Sequence, residues 1–333
     1  MQRIHRTARR STLEIAVATV IAILFGAIPA FAKEPDFPTG PVRIVLPFPP
    51  GTVNDSILRI LAERLSQRWN QPVTVDNKPG ASSMIGTTAV AQAKPDGHTL
   101  LANITLMVQN PALRAKLPYD PKSLVPVTQI NRQQLPVFVR SDLGIDSMTK
   151  LFTYAQSNPG KLNFASWGLG STAHIIKAKM EQDNRVAMTH VPYKGGADIV
   201  RALLAGEADV GVADFLSPNP HVQSGKFKVI AVTGPKRFAD MPNVPTLAEV
   251  GVTGFEGYNW LGLFAPTGTS PAVLTKIASD IAAVQDDPAL QTRFKKDMFV
   301  EPTATTPEDF QKIFARDEQA WMAVIRATKI SLE

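Results

Sequence analysis

The chain has 333 residues, with 35 Lys and Arg against 29 Asp and Glu, a formal net charge of +6 and no cysteine. Disulfides and thiol chemistry are therefore excluded. The excess of positive charge is mild and forms no dense Lys/Arg cluster, which argues against a nucleic-acid partner. The length exceeds what one hydrophobic core usually supports, so we expect two domains of about 150 residues each.

The N-terminus has the pattern of a signal peptide. Four arginines lie in the first ten residues, followed by the apolar run IAVATVIAILFGAIPA and the small residues of AFA. The apolar run is shorter than the roughly 20 residues of a membrane span and ends in an A-x-A pattern, which predicts export and cleavage after Ala32. Arg9-Arg10 leaves Sec and twin-arginine export as alternatives. Removal of the four arginines and Glu14 leaves a net charge of about +3.

Beyond this segment, apolar strands alternate with amphipathic helices. The first strands are predicted at VRIVL, PVTVDN and HTLLA, with helices over 55–69 and 84–93 between them. A second set of strands is predicted at PVFV, LNFAS, AMTHV, ADVGVA and KVIAVT, with helices at AHIIKAKMEQ and DIVRALLAGE. Gly206 is placed as a helix stop. The alternation predicts an α/β architecture in both domains.

The C-terminal part of the chain is predicted to be helical. Ser270-Pro271 and Thr306-Pro307 each place a cap residue before a proline at the first helical position, and Thr306 with Asp309 has the spacing of a capping box. A wide apolar stripe follows in the last helix, formed by Phe310, Ile313, Phe314, Trp321, Val324 and Ile325. We expect this helix to return to the first domain and cover it.

Catalytic signatures are missing from the sequence. It contains no G-x-S-x-G, no H-E-x-x-H and no Walker motif, since SGKF lacks both the leading glycine and the Ser/Thr that meets magnesium. The histidines beyond the signal have no metal-ligand spacing: His98, His174, His190 and His221. No metal or cofactor is expected, and an exported hydrolase stays only as an alternative.

Two glycine-containing turns follow predicted strands and precede predicted helices. GLGSTA, Gly168 to Ala173, matches a dinucleotide fingerprint, but the next strand offers Thr189 and His190 where the ribose-binding acid belongs, so a nucleotide-dependent oxidoreductase is a weak alternative. PFPPGTVND, Pro47 to Asp55, is the other turn. Both can be ordinary helix caps. Facing each other across a cleft, however, their backbone N–H groups would hold a carboxylate or a phosphate.

A series of ordered motifs resembles the Bug-type receptors, the substrate-binding proteins of tripartite tricarboxylate transporters. The motifs run from about Pro41 to the C-terminus: VRIVLPFPPGTVND, QPVTVDNKPGASSMIG, AKPDGHTLL, LPYDPKSLVPVT, NPGKLNFASWGLGSTAH, HVPYKGGADIVRALLAGEADV, SGKFKVIAVT, MPNVPTLAEVGVTGFEGYNWLGLFAPTGTS and TPEDF. The resemblance implies a two-domain type II periplasmic-binding-protein (Venus flytrap) fold, in which each domain is a mixed sheet flanked by helices. It implies a periplasmic receptor without catalysis, most simply a monomer, that captures a carboxylate and delivers it to a membrane permease.

The resemblance also implies domain boundaries and site residues. Domain 1 would comprise 33–132 and 258–333 and domain 2 would comprise 133–257, with crossings near 130–136 and 258–264 and the ligand between the domains. The implied first-domain loop is Phe48, Pro50, Gly51, Thr52, Val53, Asn54 and Asp55. The implied second-domain loop is Ser166, Trp167, Gly168, Gly170, Ser171 and Thr172. Their amides and hydroxyls would bind a carboxylate.

Three positions depart from the family pattern. Thr52 replaces a usual glycine, so its hydroxyl is either a ligand contact or only the helix cap. Trp167 replaces a usual small residue and is either core packing or a flat surface for an aromatic ring, which favours an aromatic mono- or dicarboxylate. Ala213 stands at a usual aspartate, beside which the chain has Asp214. In the cleft, Asp214 would repel a second carboxylate or receive an amine. Aliphatic di- and tricarboxylates and amino acids therefore stay as alternatives.

Overall fold

The computed structural model describes residues 36–330 and Leu332. The predicted signal peptide and its cleavage site after Ala32 lie outside these described residues. None of the helices described between residues 36 and 330 combines the length and the hydropathy that a membrane span requires.

Strands in the described residues are numbered in chain order. They are β1 (Val42–Leu46), β2 (Val73–Asn77), β3 (Thr99–Ile104), β4 (Leu124–Gln133), β5 (Pro136–Arg140), β6 (Asn163–Ser166), β7 (Thr189–Pro192), β8 (Val210–Val212), β9 (Phe227–Val232), β10 (Asn259–Pro266) and β11 (Glu301–Pro302). They form two mixed sheets. The first has the order β11-β4-β10-β3-β1-β2 and the second the order β7-β6-β8-β5-β9.

The α-helices are numbered in the same way. They are α1 (Val53–Trp69), α2 (Met84–Ala91), α3 (Leu106–Leu113), α4 (Met148–Ser157), α5 (Thr172–Asn184), α6 (Gly196–Leu204), α7 (Asn219–Gln223), α8 (Pro271–Gln285), α9 (Pro288–Asp297) and α10 (Pro307–Thr328). Short 3-10 turns lie at Pro121–Ser123, Ser141–Leu143 and Ala248–Val250.

Each sheet with its helices forms one α/β lobe, so the predicted two-domain fold is confirmed. In the first lobe β1 is parallel to β2 and β3, whereas β10 runs antiparallel to β3 and β4. In the second lobe β6 is parallel to β7 and β8, whereas β5 runs antiparallel to β8 and β9. The chain passes from the first sheet to the second between β4 and β5, and returns between β9 and β10.

The strands and helices predicted from apolar periodicity are all present, and their bounds differ from the prediction by no more than three residues. Ser270 and Thr306 cap α8 and α10 as predicted, each accepting the N–H three residues ahead, and Gly206 follows the end of α6 with φ 75°. Several elements were not predicted from the sequence, among them β4, β10, β11, α3, α4 and α7. β4 is rich in polar residues and contains a proline, and α3 has Pro111 inside it.

The last helix packs on both lobes. Near its start, Phe310 contacts Trp260 of β10 edge to face, with ring centroids 5.3 Å apart. Near its end, Val324 and Ile325 are buried in the hydrophobic core of the second sheet. The expectation that this helix covers the first domain therefore describes only its first half. Its apolar stripe packs on the hydrophobic cores of both lobes, so the helix connects the two lobes.

Parallel strands bring the turns that matter to one place. In the first lobe, the turns that follow β1 and β2 each lead into a helix. In the second lobe, the turns that follow β6 and β7 do the same. In open α/β sheets, ligands bind at such carboxyl ends. These four turns surround the cavities described next.

Candidate ligand-binding site

Two adjoining chambers lie between the lobes. The outer chamber has a volume of about 540 Å³ and is lined by Pro47, Phe48, Pro49, Pro79, Gly80, Ser82, Ser83, Leu106, Trp167, Gly168, Leu169, Ser171 and Lys194. The inner chamber has a volume of about 70 Å³ and is lined by Phe48, Pro49, Thr52, Val53, Asn54, Ile104, Gln133, Leu135, Trp167, Lys194, Gly195, Gly196, Ala213, Asp214 and Asn259. The outer volume is typical of small-molecule sites. The inner one has room for a carboxylate-sized group or roughly two waters.

The turn after β1 is held from within the first lobe. Thr52 caps α1, since its hydroxyl accepts the N–H of Asp55 at 3.3 Å and donates to the carbonyl of Pro49 at 3.3 Å. Asp55 in turn accepts the N–H of Gly51 at 2.9 Å. Gly51 has φ +83°, which a residue with a side chain rarely adopts. Asp55 and Gly51 therefore fix the shape of the turn, while Thr52 is both a helix cap and part of the chamber wall.

Asp55 is a buried anion inside this turn. Burial by itself would raise the pKa of its carboxyl, but hydrogen bonds from Arg59, the Gly51 N–H and Asn77 outweigh burial and hold that pKa below its ordinary value. The bonds from Arg59 Nε and Asn77 Nδ2 are 3.0 and 2.9 Å long. The carboxylate is thus charged, and its oxygens are hydrogen-bonded to Arg59, Gly51 and Asn77. Asp55 therefore stabilises the turn and lines neither chamber.

The turn after β6 is held in the same manner within the second lobe. Ser171 caps α5, because its hydroxyl accepts the N–H of His174 at 3.3 Å and donates to the carbonyl of Gly168 at 2.7 Å. The N–H of Gly170 donates to Nδ1 of His174 at 3.1 Å. The Ser166 hydroxyl accepts the Gly168 N–H at 3.2 Å. Local hydrogen bonds therefore present Gly168 and Ser171 to the outer chamber.

A stacked histidine pair supports this second turn from below. The rings of His174 and His190 lie parallel, with centroids 4.1 Å apart, and Nε2 of His190 is 2.6 Å from the hydroxyl of Ser166. Burial lowers the pKa of both rings, that of His190 to about 4, so both are neutral near pH 7. The Ser166–His190 pair has the composition of a nucleophile and its base, but Ser166 is fully buried and borders neither chamber. A ligand in the chambers does not reach its hydroxyl.

Trp167 faces the space between the lobes. One part of its ring packs against the core of the second lobe, and it also borders both chambers. Phe48 occupies the matching position on the first lobe, where it packs on that lobe's core and borders both chambers. The two aromatic side chains thus flank the passage from the outer chamber to the inner one.

A third strand-to-helix turn was missed by the sequence prediction. The residues after β7, Lys194, Gly195 and Gly196, border the inner chamber, and Lys194 also borders the outer one. Its ammonium makes no ion pair or hydrogen bond with any residue between 36 and 330. The YKGG stretch follows a predicted strand and precedes a predicted helix, so the reasoning applied to the other two turns would have found it. Lys194 thus offers the site a cation that no described residue neutralises.

Asp214 borders the inner chamber beside the start of α6. Its carboxylate accepts the N–H of Ser217 at 2.8 Å and the Ser217 hydroxyl at 3.0 Å. Burial raises the pKa of Asp214 despite these bonds. A Cβ added to Gly196 would lie 2.4 Å from the Ser217 hydroxyl oxygen and 2.9 Å from Asp214 Oδ2. The α6 N-terminus therefore packs directly on this carboxylate, and Ala213, buried beside it, also borders the chamber.

The loop after β2 forms another wall that the prediction did not include. Three consecutive residues, Ala81, Ser82 and Ser83, have positive φ of 47°, 52° and 75°. The conformation is held by Asn110, whose Nδ2 donates to the Ser82 carbonyl at 2.9 Å, and by Asn103, whose Nδ2 donates to the Ser83 hydroxyl at 3.2 Å. Left-handed backbone of this kind persists where surrounding contacts hold it in place.

Eight of the fourteen predicted residues border a chamber. They are Phe48, Thr52, Val53, Asn54, Trp167, Gly168, Ser171 and Asp214. The other six line neither chamber: Pro50, Gly51, Asp55, Ser166, Gly170 and Thr172. Thr172 instead joins the lobes, because its hydroxyl accepts from Gln109 Nε2 at 2.9 Å and lies 3.5 Å from the Thr105 hydroxyl.

The chemistry of the two chambers differs. Around the inner one, Lys194 and the N-termini of α1 and α6 supply positive charge, and the first N–H groups of these helices, at Val53, Asn54, Gly196 and Ala197, have no hydrogen-bond partner among residues 36–330. Such groups bind anions. The outer chamber is mainly apolar. No group of three or more His, Asp or Glu side chains in the described part of the chain is arranged to hold a metal ion.

Two mixed α/β lobes with a ligand-sized space between them define the class of periplasmic solute-binding proteins. The chain belongs to the tripartite tricarboxylate transporter family receptors, whose family model matches residues 57–330. The members of this family are receptors rather than enzymes, so the predicted receptor class is confirmed. They bind small carboxylates and act with membrane transporter subunits.

Individual relatives agree with this assignment. The chain is 34% identical over 299 residues to a UPF0065 protein of Bordetella pertussis, covering 90% of this chain and 91% of that one. The structure of R. palustris Rpa4515 with adipate has a TM-score of 0.82 and 30% identity, covering 89% of this chain and 99% of that one. MatC from Rhodopseudomonas palustris with bound malate has a TM-score of 0.79 and 27% identity, covering 87% and 100%.

Proposed function

We propose that this receptor captures a small aromatic mono- or dicarboxylate in the periplasm and delivers it to the membrane subunits of a tripartite tricarboxylate transporter. The observation that carries the proposal is the shared wall of the two chambers. Phe48, Trp167 and Lys194 border both, so one ligand would contact two aromatic rings and a cation at once.

In this arrangement the carboxylate occupies the inner chamber. Lys194 and the N–H groups at the starts of α1 and α6 would donate to its oxygens, and bonds to a charged group of this kind contribute about 1.5–3 kcal/mol each. The aromatic body occupies the outer chamber between Trp167 and Phe48. Ring pairs contribute about 0.5–1.5 kcal/mol beyond burial of their area.

Closure of the lobes follows from this division of contacts. The first lobe supplies Phe48 and the α1 N-terminus, and the second supplies Trp167, Lys194 and the α6 N-terminus. A ligand gains the contacts of both lobes only when they are close together, so binding favours the closed state. The crossings near 130–136 and 258–264 are the proposed hinges between domain 1 (33–132 and 258–333) and domain 2 (133–257).

An aliphatic di- or tricarboxylate is the second candidate. It is favoured by the adipate and malate of the two similar structures. An amino acid is favoured by Asp214 alone, and Lys194 opposes it, because an ammonium on the ligand would lie near a second cation.

Calorimetric titration of the purified protein with phenylacetate, terephthalate, succinate and adipate separates these candidates. We expect terephthalate to bind at least tenfold more tightly than succinate and adipate, the aliphatic acids of the same charge, and phenylacetate to bind measurably. Tighter binding of succinate and adipate would overturn the aromatic preference and leave the carboxylate receptor. Failure of all four to bind, together with stabilisation by a nucleotide or turnover of an ester, would overturn the receptor for a carboxylate.

The location and the monomeric state have their own test. We expect the protein isolated from the periplasm to have the mass of a chain whose first residue is Lys33. Size-exclusion chromatography with light scattering should give the mass of a monomer. An intact chain retained in the membrane would contradict cleavage after Ala32.

A further inference from the structure

One face of α3, a helix of the first lobe, is turned towards the second lobe. Thr105, Gln109 and Leu113 are spaced four residues apart, which places them on the same side of this helix and its first turn. All three side chains are buried, and none of them borders the outer or the inner chamber. Their contacts are therefore with the protein and not with a ligand.

The polar part of this face forms hydrogen bonds across the lobes. Gln109 Nε2 donates to the hydroxyl of Thr172, at the start of α5 in the second lobe, at 2.9 Å. The same hydroxyl lies 3.5 Å from that of Thr105, which donates to Asn259 Oδ1 at 2.5 Å. Thr172 and Asn259 are themselves buried. A continuous chain of donors and acceptors thus joins the first lobe, the second lobe and the crossing strand β10.

The apolar part of this face lies farther along the helix. The side chain of Leu113 is buried in the hydrophobic core of the second sheet, although α3 belongs to the first lobe. Its carbonyl accepts the N–H of Leu332 at 2.9 Å. A Cβ added to Gly170 would lie 2.5 Å from Leu332 Cδ1 and 3.2 Å from Leu113 Cδ1. Gly170 therefore lets both leucines pack closely on the turn after β6.

The turn after β6 has two sets of contacts. Gly168 and Ser171 border the outer chamber, where the ligand would lie. Gly170 and Thr172, which alternate with them in the chain, contact the face of α3 instead. Since neighbouring residues of one turn move together, a ligand that fixes Ser171 also fixes the position of Thr172.

Buried polar groups at an interface that opens have an unequal effect on its two states. When the lobes separate, Gln109 and Thr172 can bond to water. When the lobes close, each is satisfied only by the other, and a buried polar group without a partner is costly. Loss of one partner therefore destabilises the closed state and leaves the open state nearly unchanged.

We propose that Thr105, Gln109 and Leu113 form an interlobe latch, which docks on the turn 166–172 and sets the fraction of receptor in the closed state for every ligand alike. The inference rests on the lobe closure in the proposed function. Apparent affinity is the intrinsic affinity multiplied by the fraction of the competent state. The latch residues are thus positioning residues, which change affinity without contacting the ligand.

Thr172→Val tests the latch, because valine keeps the shape of threonine and removes the hydroxyl that Gln109 donates to. We expect the affinities for terephthalate and adipate to fall by the same factor, about tenfold. Stopped-flow kinetics should show faster dissociation of both acids. Urea unfolding of the ligand-free variant should change little, since open lobes leave Gln109 in contact with water.

Thr128→Val is the matched control. The buried hydroxyl of Thr128 donates to the carbonyl of Thr305 at 2.7 Å, and both residues belong to the first lobe. We expect this variant to unfold at lower urea concentration without ligand and to keep its affinity for both acids. The opposite behaviour of the two threonine variants would separate a latch from an ordinary stabilising hydrogen bond.

Gln109→Met supplies the other half of a double-mutant cycle. It removes the amide and keeps the length of the side chain, so the single variant should also bind both acids more weakly. In Gln109→Met combined with Thr172→Val, neither partner is left unpaired. We expect the loss of affinity in the double variant to be smaller than the product of the two single losses.

Other results would overturn the inference. Unchanged affinity in Thr172→Val would mean that the lobes do not separate at this contact. A loss confined to one acid would indicate contact with the ligand, and a matching loss of ligand-free unfolding stability would indicate a permanent structural contact. If neither acid binds, the proposed function fails and small-angle X-ray scattering without ligand decides: a larger radius of gyration in Thr172→Val supports the latch, and equal radii overturn it.

Discussion

The hydroxyl of Ser82 donates a hydrogen bond of 2.9 Å to the carbonyl oxygen of Leu169. Ser82 belongs to the loop after β2 of the first lobe, and Leu169 belongs to the turn after β6 of the second, so this bond joins the lobes at the rim of the outer chamber. Its donor lies in the left-handed segment 81–83, which the amides of Asn103 and Asn110 hold in place. A rigid loop can thus contribute to lobe closure without contacting the carboxylate.

Replacement of Ser82 by alanine tests that contribution. We expect Ser82→Ala to weaken the binding of every ligand by about fivefold, since one neutral hydrogen bond contributes roughly 1 kcal/mol to the closed state. Titration calorimetry measures the change in affinity. Stopped-flow kinetics should show that the change arises from faster dissociation of the ligand. Ser279→Ala removes an exposed hydroxyl on α8 and is the control. A loss confined to one ligand would indicate a direct contact instead.

Lys194 is expected to supply much of the affinity for the carboxylate. Lys194→Met keeps the aliphatic stem and removes the charge, so we expect affinity to fall roughly 10- to 100-fold, equivalent to about 1.5–3 kcal/mol. Unfolding stability should stay the same, because the ammonium has no partner among the described residues. Lys161→Met, at an exposed site of the same lobe, controls for the change in net charge. Equal affinities for the two variants would remove Lys194 from the site.

Trp167 is expected to discriminate between ligand bodies. Trp167→Leu retains apolar contact and removes the ring, so affinity for phenylacetate should fall about 2- to 10-fold while affinity for succinate changes less. Calorimetry with both acids gives the two values on one protein sample. If both affinities fall equally, the side chain shapes the chamber without selecting aromatic ligands.

The start of α6 allows a comparison between adjacent glycines. In Gly196→Ala the new methyl would lie 2.4 Å from the Ser217 hydroxyl oxygen, whereas nothing lies within 4 Å of a Cβ at Gly195. We expect Gly196→Ala to lower the free energy of unfolding by about 1–3 kcal/mol and to weaken ligand binding, because the helix N-terminus must shift. Gly195→Ala, where φ is extended at 177°, should leave the free energy of unfolding unchanged. Urea unfolding and calorimetry of both variants provide the comparison.

Acid should destabilise the protein through the histidine pair. The pKa of His190 is lowered to about 4 from an ordinary 6.5, so the unfolded chain takes up its proton first as pH falls. Stability is therefore complete above about pH 6.5 and is lost between pH 6.5 and 4, on the order of 2 kcal/mol because the ring is partly exposed. Urea unfolding at pH 7 and pH 4.5 measures the loss.

His190→Gln is the matched variant for this pH dependence. Its amide keeps a hydrogen-bonding group for Ser166 but does not titrate in this range. The loss of stability between pH 7 and 4.5 should be smaller in the variant than in the unchanged protein. The same loss in both would assign the pH dependence to other groups, such as His174, whose pKa is also lowered by burial.

The elements near the site could be predicted from local sequence because local interactions form them. Thr52, Ser171, Ser270 and Thr306 cap helices through bonds that reach only three residues along the chain. Apolar periodicity likewise marks a strand or helix before its neighbours are known. The turns at 47–52 and 166–171 follow from the same signals.

Local sequence signals predicted only some of the residues that line the chambers. Asp55 and Thr172 have the residue types of a binding site, yet their polar groups are paired with Arg59 and Asn77 in one case and with Gln109 in the other. Gln133 lies at the end of a polar strand that periodicity did not identify. A side chain's type does not reveal which groups are left without a partner.

Local sequence patterns are sufficient to predict the two α/β lobes, the family and the two turns that flank the ligand space, because periodicity, caps and ordered motifs are properties of neighbouring residues. Three other features become visible only when the chain is folded: Lys194 has no partner among the described residues, Trp167 faces the space between the lobes, and Asn54 and Gln133 border the inner chamber. The physical reason is distance along the chain. These groups meet because two sheets and a crossing helix pack, and hydrogen-bond pairing depends on which residues that packing brings together.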